Sequence, residues 1–487
     1  MAASDVPRVS TFRTRRRRDR IIAAAIAVVV IVAATVVYLT SDIRATDSQV
    51  APAGPAPEEM TSVPQRLQVD WQQATDSTVG AVASPFGTVV TSDQHTVTGR
   101  DVGTGAVRWS YSRSDRQLCR IGSGDTTAGE LQPPFSTQSD GAARGIMAIY
   151  ARDGLCGEMV LLDPRTGERR YQRTAPNQPD GSLIYGGPYA AWVGPNRMEI
   201  WRWDLLRTFQ YGNQPNPTSS NTRHLGCTFT DAAVTDNQFG TIEHCPAKGK
   251  NARIVLNWTD PNTHDNDKYD VYKTDNLMDV DTGSTAARIV GITKDRVAVL
   301  VAAPTPAVLV YDAAGKIAGR TPVDVPATAI GSTVGPTPRI TLSDVQYALV
   351  GDRLIATGSE QVTVTVPIST SSTTSETSTS TVGPGTLLGG SVTGGSTAEP
   401  TSKTEGRASP TLRWTLPKAI GLPTAIGTNL LVPTAGGLLV VPAAEGTVSR
   451  TVAVPRAGNP PRVDVMAVGA HLVELRSDEV VSLTAGR

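Results

Sequence analysis

The sequence predicts an all-β fold after one apolar N-terminal segment, and the main evidence is a recurring turn. Its clearest copy is Asp-Val-Gly-Thr-Gly at 101–105, followed by Trp109, and a second is Asp-Pro-Arg-Thr-Gly at 163–167, followed by Tyr171. Two degenerate copies of the motif follow at 312–315 and 444–446. Each lies between two short β-rich runs, as a hairpin turn does. A hairpin that recurs along hundreds of residues predicts a single β-propeller.

The first element is an apolar segment at 21–39, which has no charged residue and only Thr35 and Tyr38 as polar ones. At about 1.5 Å per residue it spans roughly 28 Å, close to the hydrocarbon core of a bilayer. Seven Arg and two Asp precede it, whereas acidic residues dominate 40–63. This asymmetry predicts a single-pass membrane helix with a cytoplasmic N-terminus and an extracytoplasmic remainder. A cleaved signal peptide is the alternative, but its apolar core would be shorter.

Composition divides the chain further. Residues 1–20 form a basic arm of charge +5, and because the whole chain has net charge zero, the rest carries about −5. We therefore expect no nucleic-acid partner. Residues 40–63 are rich in Pro, Ala, Gly and acidic residues and are predicted to be an extracytoplasmic tether. Residues 64–487 are assigned to the propeller.

Seven blade-sized units fit end to end between residues 80 and 454, and the fourth, at about 226–273, is the most degenerate. Three further strands at 463–468, 471–476 and 479–483 lack a fourth. Residues 66–71 are predicted to supply it, which would join the two ends of the domain and leave no open sheet edge. The prediction is therefore eight blades, and the degenerate fourth unit leaves seven as the alternative.

The sixth unit contains an interruption. Residues 353–357 and 361–366 are predicted as two separate middle strands. They are followed by a Ser/Thr/Gly-rich insert at 368–410, whose composition cannot form a core and predicts a disordered surface loop. A glycosylated stretch or a contact with the cell wall is the alternative.

Four cysteines follow the apolar segment: Cys119, Cys156, Cys227 and Cys245. An even number in an oxidising compartment predicts two disulfides, and sequence order favours Cys119–Cys156 with Cys227–Cys245 among the three possible pairings. A zinc site is the alternative, since His224 and His244 accompany the second pair. Adjacent ligands such as His244 and Cys245 point to opposite sides of a strand, so we predict no metal site.

The succession of strand, Asp-x-x-Thr-Gly, strand and Trp resembles the repeats of the pyrroloquinoline-quinone-like propellers. That family includes quinoprotein dehydrogenases and the lipoprotein BamB of the outer-membrane assembly machine. The resemblance covers most of 65–487, although only 101–109 matches in full. It implies that Trp109, Tyr171 and Trp414 lock adjacent blades together. With its N-terminal anchor and its Arg/Ala/Gly/Pro bias, the chain resembles the membrane-anchored actinobacterial members.

An enzymatic function is the less favoured interpretation. Quinoprotein dehydrogenases resemble this fold but hold a quinone between a Trp and a disulfide of neighbouring cysteines, beside a calcium ion. No two cysteines here are adjacent, and the five histidines form no recognisable triad. The acidic stretch at 260–267 lacks the Gly and Glu of an EF-hand loop and is interpreted as a solvated turn. We expect no catalytic residue and no cofactor.

The function expected from these observations is that of a membrane-anchored, non-enzymatic scaffold. Its partners would be proteins of cell-envelope assembly or export, bound by blade loops or by an exposed strand edge. The alternatives are a quinone- or metal-dependent dehydrogenase and a ligand-binding sensor.

Overall fold

The computed structural model describes residues 11–39, 41–55, 57–123, 145–215, 224–259, 277–293, 296–332, 335–342, 344–366, 403–456 and 458–486. Three α-helices occur in these residues: α1 (Thr11–Leu39), α2 (Asp42–Ala45) and α3 (Ala327–Ser332). A short 3₁₀ helix covers Pro246–Lys248. Helix α1 is long and apolar enough to cross a membrane, and the side chains of its apolar part are all exposed.

All other regular structure is β. Two strands precede the repeating part, β1 (Thr46–Gln49) and β2 (Leu67–Ala74). Blade 1 contains β3 (Val82–Ser84), β4 (Thr88–Ser92), β5 (Thr96–Asp101) and β6 (Val107–Arg113). Blade 2 contains β7 (Leu118–Ser123), β8 (Ile146–Arg152), β9 (Leu155–Leu162) and β10 (Arg169–Thr174). Blade 3 contains β11 (Ser182–Gly186), β12 (Tyr189–Val193), β13 (Arg197–Arg202) and β14 (Arg207–Gly212). Blade 4 contains β15 (Thr228–Val234), β16 (Gln238–His244), β17 (Arg253–Trp258) and β18 (Met278–Asp281).

The second half repeats this arrangement. Blade 5 contains β19 (Ala287–Thr293), β20 (Arg296–Val301), β21 (Ala307–Tyr311) and β22 (Ile317–Pro322). Blade 6 contains β23 (Arg339–Leu342), β24 (Val345–Val350), β25 (Arg353–Val366) and β26 (Lys403–Pro417). Blade 7 contains β27 (Thr424–Ile426), β28 (Asn429–Thr434), β29 (Gly437–Pro442) and β30 (Arg450–Val452). The last strands are β31 (Val463–Val468), β32 (His471–Arg476) and β33 (Glu479–Ala485).

Blade 8 is composite, as predicted. The three C-terminal strands pair in the order β31, β32, β33, and β2 completes the sheet along β33, with Leu67 opposite Ala485 and Ala74 opposite Glu479. The described strands thus form eight antiparallel sheets, and the eight-bladed propeller is confirmed over the seven-bladed alternative. Closure of the ring packs a face of blade 8 against a face of blade 1, but in the described residues it leaves the outer edges of blades such as blade 2 open, contrary to the expectation that no open sheet edge remains.

The recurring turn is a hydrogen-bonded unit between the third and fourth strands of a blade. The Oδ1 atom of Asp101 accepts hydrogen bonds from the backbone N–H of Gly103 and Thr104 and from the Thr104 hydroxyl. Gly105 ends the turn with φ of 70°, a conformation that glycine adopts without strain. Asp163 and Asp312 accept backbone N–H groups in the same way. The motif therefore marks one blade each time it appears.

The core lies between the blades. In the described residues, the buried apolar side chains form eight clusters, each shared by two consecutive blades, including blades 8 and 1. Strands such as β20 and β21 are therefore buried on both faces, and they show continuous apolar runs instead of alternation. Two of the fourth strands, β10 and β22, are mostly exposed.

Two blades differ from their predicted boundaries. In blade 6, residues 361–366 are not a separate strand; they continue β25, because 403–410 pair with them and no turn occurs at Gly358. Of the predicted insert 368–410, residues 368–402 lie outside the described part of the chain, and 403–410 begin β26. In blade 4, the fourth strand lies beyond residue 273, since β18 starts at Met278.

The segment expected as a tether packs on the propeller. Strand β1 pairs antiparallel with β6, with Thr46 opposite Arg113, and makes blade 1 five-stranded. Further along, the N–H of Met60 donates to Gly469 O at 2.9 Å, and Met60 packs against the cluster between blades 7 and 8. Arg450 donates to Val63 O at 3.0 Å. The apolar residues that make these contacts are too sparse to form a sequence period.

Candidate functional site

Tryptophans of the fourth strands contact the turn of the next blade. Trp109 is fully buried, its Nε1–H donates to Pro164 O at 2.9 Å, and a Cβ added at Gly167 would lie 2.7 Å from its ring. Trp414 donates to Ala443 O at 3.0 Å and covers Gly446 in the same manner. These contacts join blade 1 to blade 2 and blade 6 to blade 7. The glycine of each turn is needed because the indole lies flat against it.

The sequence analysis missed a third tryptophan of this kind. Trp71 lies on β2, donates to Val102 O at 2.7 Å and packs against Gly105, so it joins blade 8 to blade 1. No turn motif precedes Trp71 in sequence, because the other strands of its blade are β31, β32 and β33, although its place in the composite blade could have revealed the equivalence.

Tyr171 is placed differently from the two predicted tryptophans. It retains 38% of its surface and touches the next blade through an edge contact with Trp203, at a ring-centroid distance of 5.9 Å. Nearby, Arg173 donates to Leu205 O at 3.1 Å. The contact between blades 2 and 3 on this side is therefore partly polar and open to solvent.

The structure joins Cys119 to Cys156 and Cys227 to Cys245, the pairing that sequence order favours, with Cα atoms 5.9 and 4.2 Å apart. The first disulfide connects two strands of blade 2. The second lies at one end of blade 4, beside the pair Thr228 and His244 of β15 and β16.

The second disulfide has ionisable neighbours. Nδ1 of His224 lies 2.7 Å from Oε2 of Glu243, and both side chains are buried. His244, which the sequence analysis considered, is not part of this group, whereas Glu243 is. Adjacent residues of β16 point to opposite faces, so Glu243 and Cys245 share the face that His244 cannot reach. Sequence alone gave no reason to connect Glu243 with His224.

The connection between α1 and the propeller is held by ion pairs. Oδ1 of Asp42 lies 3.1 Å from Arg113 and 2.8 Å from Arg116, and both arginines also contact the buried Glu158 of blade 2. Burial raises the pKa of Asp115, but the Arg113 hydrogen bond and the Arg113 and Arg116 charges hold it below its usual value. The chain that leaves the apolar helix is thus fixed to blades 1 and 2 within a few residues.

The outer edges of the blades offer backbone hydrogen-bonding groups. Blade 1 has its edge covered by β1, and in the described residues no other blade has a fifth strand. The edge strand β10 is six residues long and exposed at every position except Arg173. By contrast, β22 contains Gly319 and ends at Pro322, two features that weaken pairing along an edge.

A central cavity of about 930 Å³, called the channel here, is lined by residues of all eight blades. Its charged lining residues are Arg120, Asp236, Arg339, Arg462, Asp464 and Arg476. Arg339 pairs with the buried Asp231, which also accepts N–H groups of Ile289 and Thr337, so this pair ties blades 4, 5 and 6 together. Burial lowers the pKa of Arg120, which has no carboxylate within 4.0 Å in the described part of the chain.

The described residues that line the channel do not fit the quinone site that quinoprotein dehydrogenases have. It includes no tryptophan, and its two carboxylates, Asp236 and Asp464, come from blades 4 and 8 on opposite sides of the ring. The disulfides join residues 37 and 18 positions apart. The described lining therefore presents neither a tryptophan and a vicinal disulfide facing each other nor a clustered set of calcium ligands.

Among known proteins, only solved structures match this chain. No protein-family model matches the chain, and no curated protein matches it. The matching structures include BamB from Moraxella catarrhalis, with 13% identity, a TM-score of 0.40 and coverage of 86% of this chain and 99% of that one. They also include the quinohemoprotein alcohol dehydrogenase ADHIIG from Pseudomonas putida, with 11% identity, a TM-score of 0.44 and coverage of 88% and 78%.

A computationally designed protein, Ika8, matches with 10% identity and a TM-score of 0.43, covering 89% of this chain and all of its own length. At identities of 10–13% and TM-scores of 0.40–0.44, these likenesses do not distinguish among functions. The blade number rests on the strand pairing of this chain itself.

Proposed function

We propose that the protein is a non-enzymatic scaffold, anchored by α1 with its N-terminus in the cytoplasm, whose extracytoplasmic propeller binds proteins of cell-envelope assembly or export. The observation that carries this proposal is the fifth strand of blade 1. There an extended segment, β1, adds to the outer edge of a blade through backbone pairing. A partner's extended segment would bind an uncovered edge of another blade by the same pairing.

The edge of blade 2 is the best placed for such a partner. In the described part of the chain no strand covers β10, which is almost wholly exposed. Its last residue, Thr174, pairs with Glu158, which contacts the arginines that hold Asp42 next to the apolar helix. A partner on β10 would therefore lie beside the membrane anchor, where envelope and export proteins are found.

A photo-crosslinking amino acid at Thr174 of the full-length protein, activated in intact cells, tests this proposal. The matched control carries the same amino acid at Val448, an exposed position in a turn of blade 7. We expect discrete crosslinked species from position 174 and none from position 448. We also expect the purified protein to show no visible absorbance from a bound cofactor. Equal crosslinking from both positions would contradict the use of this edge. A bound chromophore with dye-linked alcohol oxidation would instead support the dehydrogenase alternative.

A further inference from the structure

One side-chain cluster outside the proposed binding edge has the composition of a metal site. His224, Cys227, Glu243 and Cys245 place a ring nitrogen, two sulfurs and a carboxylate oxygen within 4.8 Å of one another. The side chains of His224 and Glu243 are 3% and 0% exposed, and both cysteines are buried. We propose that this cluster binds Zn²⁺ when the Cys227–Cys245 disulfide is reduced, so that disulfide and metal are alternative states of one site.

The ligand types are those that zinc prefers. Structural zinc sites are tetrahedral and combine thiolate, imidazole and carboxylate ligands at about 2.0–2.3 Å, which places neighbouring ligand atoms about 3.3–3.8 Å apart. Oε2 of Glu243 lies 3.7 Å from Sγ of Cys245 and 2.7 Å from Nδ1 of His224. Zinc would lie between Nδ1 and Oε2, and these two atoms would separate by about 0.6 Å.

The neighbours of the cluster orient two of its ligands. Oε1 of Glu243 accepts hydrogen bonds from the hydroxyls of Tyr211 and Thr241, each at 2.6 Å, and this leaves Oε2 facing His224 and Cys245. Burial, and then the charge of Glu243, raise the pKa of Tyr211 well above its usual value, so its hydroxyl stays a donor. Ligating carboxylates in metal sites are held by hydrogen bonds of this kind.

The imidazole has a partner on its other side. Nε2 of His224 lies 3.9 Å from Oδ2 of Asp279, which is itself held by Lys248 at 2.6 Å and Arg253 at 2.6 Å. Histidines that ligate metals present their second nitrogen to such a carboxylate, which fixes the tautomer and the ring orientation. The Asp279 carboxylate is thus near enough to attract Nε2–H once Nδ1 binds the metal.

A dithiol reductant converts the disulfide state into the reduced state that binds zinc. One thiolate of the dithiol attacks the disulfide, a mixed disulfide forms, and the second thiol of the reductant resolves it. Two electrons and two protons pass to Cys227 and Cys245, and the reductant leaves as its own disulfide. Zinc binding then displaces the two thiol protons.

The chain contains its own control. The Cys119–Cys156 disulfide is also buried against neighbouring strands, but in the described residues the only group of metal-ligating side chains that converges is the one around Cys227 and Cys245. Reduction of both disulfides should therefore create one zinc site, not two.

The experiment uses the full-length protein in detergent, reduced with a phosphine, and adds Co²⁺ as a spectroscopic probe before replacing it with Zn²⁺. We expect one metal per chain, thiolate-to-cobalt absorbance in the reduced protein, and neither in the oxidised protein. The Cys119→Ser/Cys156→Ser variant should keep both signals, and Cys227→Ser/Cys245→Ser should lose them. Glu243→Gln should weaken zinc binding at least tenfold, while circular dichroism reports whether each variant is folded.

A second readout needs no variant. In the reduced wild-type protein, Zn²⁺ should slow alkylation of Cys227 and Cys245 by at least tenfold and leave Cys119 and Cys156 unchanged, as peptide mass spectrometry can measure. Equal alkylation of all four cysteines with and without Zn²⁺ would overturn the proposal. So would stoichiometric cobalt binding by folded Cys227→Ser/Cys245→Ser, since the thiolates would then not be the ligands.

Discussion

Replacement of Trp109 by alanine measures how strongly one blade is held to the next. The side chain has no exposed surface, donates a hydrogen bond of 2.9 Å to Pro164 O and covers Gly167. Truncation of a buried tryptophan to alanine costs about 3–5 kcal/mol, and we expect the upper half because Pro164 O also loses its donor. The unfolding entropy of a propeller of this size is about 0.8 kcal/mol/K, so Tm should fall by about 5 °C.

The assay is thermal unfolding of the full-length protein in detergent, followed by circular dichroism at one scan rate. Tyr171→Ala is the matched control, because Tyr171 occupies the corresponding strand position of blade 2 but retains 38% of its surface. It should lower Tm by about 1 °C, since a half-exposed ring contributes much less burial. Trp109→Phe should lie between the two. Equal shifts for Trp109→Ala and Tyr171→Ala would refute the idea that the buried indole locks the blades.

Three further predictions concern packing, pH and the membrane connection. A Cβ at Gly186 would lie 1.8 Å from Val234 O of blade 4, whereas the nearest atom to a Cβ at Gly319 is 3.9 Å away. In urea unfolding, Gly186→Ala should therefore lower the free energy of unfolding by at least about 2 kcal/mol and Gly319→Ala by under about 1 kcal/mol. Similar unfolding midpoints for the two variants would contradict this. Burial, and to a smaller extent the nearby charge of Arg288, lower the pKa of His244 below 6.5. The contribution of neutral His244 to stability is therefore present above pH 6.5 and is lost as the pH falls towards the pKa of the folded state. The unfolding midpoint should decrease between about pH 7.5 and 5.5, and it should decrease less in His244→Gln. Asp42→Asn removes a half-exposed carboxylate from its ion pairs with Arg113 and Arg116. We expect faster amide hydrogen exchange in 46–49, with Tm changed by under about 1 °C. Unchanged protection of these amides would show that Asp42 does not hold the strand.

The fold was largely predictable because its signals are local. The turn motif at 101–105 depends on an aspartate that binds backbone groups two and three positions ahead, so the sequence carries the whole interaction. The composite blade was predictable for a related reason, since three C-terminal strands without a fourth and one N-terminal strand without a blade complement each other.

The features that escaped prediction depend on contacts between distant segments. Glu243 joins His224 only because β16 places it on the face opposite His244, and the loop before β15 returns to that face. The pairing of β1 with β6 rests on backbone groups and on the ion pairs of Asp42, neither of which leaves an apolar period. The continuation of β25 past Gly358 depends on a partner strand some 50 residues later.

The composite blade also fixes the order of events during synthesis. Strand β2 ends at Ala74, whereas the other three strands of its sheet begin at Val463 and are made much later. At about 5–20 residues per second, β2 waits roughly 20–80 s for them. For that time Leu67 and Trp71 lack the side chains that pack against them in the folded ring, and the strand has no backbone partner. Exposed apolar side chains and an unpaired strand make such a chain prone to aggregation. A chain released before residue 463 would keep β2 without its sheet, so translation of β31, β32 and β33 decides whether the ring forms at all.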